Sequence, residues 1–134
     1  MMTNQSPTER WTPLQYIAGE CSLSRMEYDA TNLLVELDSF LENRVIKVVF
    51  SDVLSYRVTL EHFRWADFVD KPKTKSTLVR VVNSNFVKWL EDAGEKQLYG
   101  NTLNIVHYML QTTEHIIDVV LLYDSVITID GRPL

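Results

Sequence analysis

Chemistry in this chain would have to come from few residues. Its three histidines are His62, His107 and His115, and none stands at a short metal-ligand spacing such as the i, i+4 pair of a zinc helix. No metal site is expected. If the last long hairpin turns around Thr112 and Thr113, His107 and Asp118 fall on paired strands, where an imidazole and a carboxylate can meet. They are the one acid/base pair the sequence offers, and the only candidate catalytic residues. The plainer reading, a histidine orienting on an aspartate within a sheet, carries more weight.

Nucleophile motifs are absent. GxSxG does not occur, the serines lack a recognisable turn context, and Cys21 has no basic neighbour in sequence. Neither GxGxxG nor a P-loop is present, and four glycines leave little backbone for a phosphate cradle. No cofactor is expected. Cys21 is the single cysteine, so no intrachain disulfide can form, which favours a cytoplasmic address. A formal net charge of −5 argues against nucleic acid, whose phosphates call for a basic stripe. It suits a basic protein partner better.

Large amphipathic side chains are the remaining functional candidates. Trp65, flanked by Arg64 and Asp67 in an irregular segment, is the preferred interface aromatic, with those two neighbours beside it. Trp89 lies on an apolar helical stripe and is expected to pack on the sheet. The lysines at 71, 73 and 75 around Pro72 read as a solvated loop or as guards of a sheet edge.

The elements that position these residues are mostly strands. Leu14 to Ile17 is short and apolar before Gly19, and Asn32 to Phe40 alternates with a period near two. Arg44 to Phe50 is rich in β-branched residues. Leu54, Tyr56, Val58 and Leu60 share one face of the next strand, which is expected to pair with its predecessor as a hairpin. Glu61 to Asp70 fits a short helix or a packed loop. Thr77 to Val82 resumes strand composition. Asn83 and Ser84 then cap a helix over about 83–93, with Phe86, Trp89 and Leu90 on its apolar side and Gly94 available as a left-handed stop. Leu103 to Leu110, His115 to Tyr123 and Val126 to Ile129 complete the strands, closed by Asp130 and Gly131.

The fold class is therefore α+β, a mainly antiparallel curved sheet or partly closed barrel with one well-defined packed helix. Residues 1–10 read as a flexible tail and 11–134 as a single globular domain. No apolar run is long enough to span a bilayer, so no membrane partner is expected.

Taken together, NSNFVKWLEDAG, HYMLQTTEHIIDVV and the closing SVIT resemble a layout found in small uncharacterised bacterial proteins. In that layout a serine-led helix with a tryptophan precedes a hairpin bearing a His-Tyr pair and an Asp-Val pair. The likeness covers about the last 60 residues, and it departs near the end, where Tyr123, Asp124 and Ser125 stand in place of a customary proline. Some small acidic proteins of this look are immunity proteins, which neutralise a toxin. The resemblance implies binding and not turnover.

The expected function is thus a noncatalytic protein-binding domain of the immunity-inhibitor kind. Two alternatives stay open. One is a small-ligand binder or minor enzyme with a cavity between sheet and helix, using His107 and Asp118. The other is a structural homo-oligomer subunit with no separate ligand.

Overall fold

The computed structural model describes residues 8–68, 76–94 and 104–134. Among the described residues, ten strands form two antiparallel five-stranded sheets, one in the order β1-β6-β7-β8-β5 and the other β10-β9-β4-β3-β2. The first contains β1 (Arg10–Leu14), β5 (Val53–Leu60), β6 (Leu78–Val82), β7 (Ile105–Gln111) and β8 (His115–Leu122). The second contains β2 (Cys21–Tyr28), β3 (Leu33–Ser39), β4 (Arg44–Phe50), β9 (Ile127–Ile129) and β10 (Arg132–Pro133). A 3-10 helix, Glu61–Phe68, follows β5, and α1, Asn85–Ala93, follows β6. Among the described residues, neither sheet closes into a barrel.

Alternation explains the layering. Leu33, Val35 and Leu37 of β3 and Ile46, Val48 and Phe50 of β4 turn one face of the second sheet inward. They meet Leu78, Val106, Leu110, Ile117, Val119 and Leu121 from the first sheet, and burial of this shared apolar layer is the main driving force for folding. The opposite face of the first sheet is also covered. There Trp11, Val79, Val81, Met109 and Ile116 form a second cluster with Phe68 of the 3-10 helix packed on it, its ring edge-on to Trp11 at 5.1 Å. Both faces of β8 are consequently buried, and its apolar run is interrupted by Asp118.

Several expectations shift. β5 does not pair with β4: the chain crosses to the other sheet at Asp52, whose φ of 52° reverses it, and β5 lies against β8. Period-two patterning fixes which side chains share a face, but not which strand is the neighbour. The sequence reading places no strand over Cys21–Tyr28, yet β2 runs there with one irregularity, a bulge between Leu23 and Arg25. β1 begins at Arg10, inside the stretch read as tail, while residues 1–7 and the lysines at 71, 73 and 75 lie outside the described residues.

α1 starts as expected. The Ser84 hydroxyl accepts the Val87 N–H at 3.0 Å, and Asn83, at φ 56°, makes the turn that leads into it. Its end differs, since Gly94 is extended at φ −91° and ψ 179° and not left-handed. Asp130 and Gly131, at φ 52° and 81°, form the two-residue turn of the β9–β10 hairpin.

Candidate functional site: a buried Ser84-His107-Asp118 relay

The covered face of the first sheet carries a polar line through its apolar cluster. His107 on β7 is opposite Val120, and Asp118 on β8 is opposite Met109, so the two are diagonal neighbours on one face, within reach of long side chains. His107 Nε2 lies 2.7 Å from Asp118 Oδ1. The imidazole's other nitrogen, Nδ1, is 2.6 Å from Ser84 Oγ. A carboxylate only accepts, so Nε2 carries the ring proton, and in the neutral ring Nδ1 accepts the Ser84 hydroxyl hydrogen. Ser84, His107 and Asp118 are all buried, Asp118 completely.

Asp118 is bound on its second oxygen too. Arg57, opposite it on β5, donates through Nε at 2.8 Å, and Arg64 of the 3-10 helix donates through Nη1 at 2.5 Å. Arg64 also pairs with Asp67. Burial alone would push the Asp118 carboxyl upward, but the hydrogen bond and field of His107, together with Arg64 and Arg57, outweigh it and hold the group at about 2. Asp118 is therefore ionised at neutral pH. The Arg57 guanidinium also lies 4.2 Å over the Phe86 ring, and Phe86 meets His107 edge-on at 5.7 Å.

Five elements converge on this network: the start of α1, β5, β7, β8 and the 3-10 helix. It borders a cavity of about 250 Å³ lined by Ser84, His107, Arg80, Asn83, Val87 and Lys88, among others. A serine, an imidazole and a carboxylate in sequence are the components of an activated nucleophile. Two features oppose that use. The serine oxygen is engaged as the helix cap, and two guanidiniums already compensate the carboxylate that would have to stabilise an imidazolium. The arrangement suits a satisfied polar network that fixes α1 and the 3-10 helix to the sheet.

His107 and Asp118 are thus brought together as the hairpin spacing implies. The sequence marks Ser84 only as a helix cap, because its meeting with His107 depends on how the chain folds back after β6. Arg64, expected at a protein interface, turns inward and is buried; Asp118 draws it there. Asp67 remains partly exposed beside it, and the Trp65 side chain lies outside the described residues. Trp89, expected in the core, is 62% exposed. Only Phe86 of α1 is buried, so the helix docks by its first turn, and Trp89 lies stacked outside Phe86 with ring centres 6.1 Å apart.

Among the described residues, no group of three or more His, Cys, Asp or Glu side chains is placed to hold a metal ion, and no helix is long and apolar enough to cross a membrane. Comparison of the chain with protein-family models, with curated proteins and with solved structures finds no match.

Proposed function

We propose that this protein is a noncatalytic, cytoplasmic protein-binding domain that docks a basic partner on the exposed ridge of α1, in the manner of an immunity-type inhibitor. The observation that carries the reading is Trp89. An indole 62% exposed, braced on Phe86, with Arg57 seated over the same Phe86 ring, presents a large rigid surface at small entropic cost. Tryptophan and arginine are the residues that most often dominate binding energy at interfaces. Glu91 and Asp92 are exposed on the same helix, and the net charge of −5 favours approach of a basic surface.

The test uses wild type and Trp89→Ala as baits in extracts of the source cells, followed by titration of the captured partner. Loss of an interface anchor is expected to weaken binding by about 30-fold or more, the equivalent of about 2 kcal/mol. Capture of the same partners at equal affinity by both baits, or of none, sinks the reading.

A second reading, a small-ligand binder or hydrolytic enzyme, rests on the cavity that Ser84 and His107 border. Exposure of the folded protein to a fluorophosphonate, with mass mapping of the product, separates the two. An adduct on Ser84 would favour the second reading; an unmodified Ser84 supports the first.

A further inference from the structure

We infer that β5 is the seam of a symmetric dimer, pairing antiparallel with β5 of a second copy across a twofold axis at Val58. The inference is independent of the α1 ridge. Among the described residues the two sheets have four edges, β1, β5, β10 and β2, and the edge of a sheet carries backbone groups able to recruit another strand. β1 carries Pro13, and β10 is two residues long and ends in Pro133. β2 is interrupted by its bulge between Leu23 and Arg25 and carries Arg25 and Glu27, held together as an exposed ion pair. These are the ordinary defences of an edge strand: proline, brevity, a bulge and charge.

β5 lacks them over most of its length. It runs for eight residues without proline, and its one irregularity lies between Val53 and Ser55, at its start. Arg57, its only charged residue, is drawn away from the edge to Asp118 and over the Phe86 ring. On the opposite face stand Tyr56, Val58 and Leu60, exposed by 37%, 42% and 42%. Tyr28 from β2 packs against Tyr56 with ring centres 5.1 Å apart and extends this apolar row.

Among axes at Tyr56, Arg57 and Val58, the sequence of β5 favours Val58. An axis at Arg57 would set two guanidiniums directly opposite each other, a like-charge pair that destabilises a ladder. An axis at Tyr56 would bring the irregular start of the strand into the pairing. An axis at Val58 uses only the regular part: Val58 faces itself, Tyr56 faces Leu60 of the partner subunit, and Arg57 faces Thr59 of the partner subunit. Apolar side chains then meet apolar ones at each position of that face, and the first sheets of the two copies join into one sheet of ten strands. Such an isologous contact closes on itself and does not propagate.

Val58→Cys tests the register directly, because a residue on the axis faces its own copy with Cβ atoms about 4.5–5.5 Å apart, and the native Cys21 is fully buried. Mild oxidation of the folded protein is expected to give a covalent dimer of twice the 15.6 kDa chain mass, faster than a control thiol at Thr113→Cys. Light scattering of the wild type is expected to show a concentration-dependent dimer. Val58→Asp, which places two carboxylates face to face, is expected to yield a folded monomer with unchanged circular dichroism. A wild type that stays monomeric at millimolar chain concentration, cross-linking no faster than at Thr113→Cys, or a Val58→Asp protein that stays dimeric would each overturn the inference. None of these outcomes bears on partner capture through Trp89.

Discussion

A carboxylate without solvent exposure, reached by one imidazole and two guanidiniums, ties stability to acidity at a single residue. Asp118 is held at about 2 against an ordinary 3.8. Its folded-state pKa is depressed, so its contribution is fully present above the unfolded value and is lost as pH falls through the folded one. Thermal melts are expected to be insensitive to this group from pH 7 down to about 5, then to lose roughly 2 kcal/mol between about pH 4 and pH 2. Asp118→Asn should remove that acid limb and also leave Arg64 buried opposite a neutral amide. Breaking such a pair costs about 3–5 kcal/mol, measurable by urea denaturation at pH 7. At this scale the sequence was half legible. His107 and Asp118 lie on one hairpin, where spacing alone predicts their meeting. Arg57 and Arg64 come from elements more than 50 residues earlier, and no local pattern announces a guanidinium's partner at that separation.

At the scale of elements, α1 is held at one end and free along the rest. Ser84 caps it and bonds His107, so Ser84→Ala should cost about 1–2 kcal/mol and shift the imidazole resonances seen by NMR. Trp89→Ala, by contrast, should change stability by no more than about 0.5 kcal/mol, since most of the ring is already in water. A large loss on that substitution would mean that the indole packs and does not protrude. The helix was legible from its cap and from Phe86, Trp89 and Leu90, yet the stripe misplaced Trp89. Helical spacing shows which side chains align, but how far along the axis the helix touches the sheet is set by the sheet. The same distinction governs β5, whose alternation was plain while its neighbour, β8, was not.

Across the whole molecule, the sandwich buries Cys21 completely, and burial pushes its thiol upward despite a contact from Thr77. A thiol reagent at pH 8 should leave the folded protein unlabelled over the time in which urea-unfolded protein reacts fully. Rapid native labelling would show that the layer between the sheets opens readily. The mainly antiparallel α+β architecture was readable from composition and period, because apolar β-branched runs with short connections have few other ways to bury themselves. Division of the strands between two sheets was not, since it depends on crossings at residues such as Asp52 whose unusual backbone is invisible in a local pattern.

The link between Arg57 and Asp118 spans 61 residues, and that separation matters while the protein is being made. β5 leaves the ribosome well before β8 exists. At ordinary rates of translation the nascent chain carries Tyr56, Val58 and Leu60 without their sheet for roughly 3–12 s. Through that interval Arg57 has no Asp118 to hold it, and its charge stands on the unpaired strand. The same arginine that withdraws from the edge in the finished fold thus shields it during synthesis.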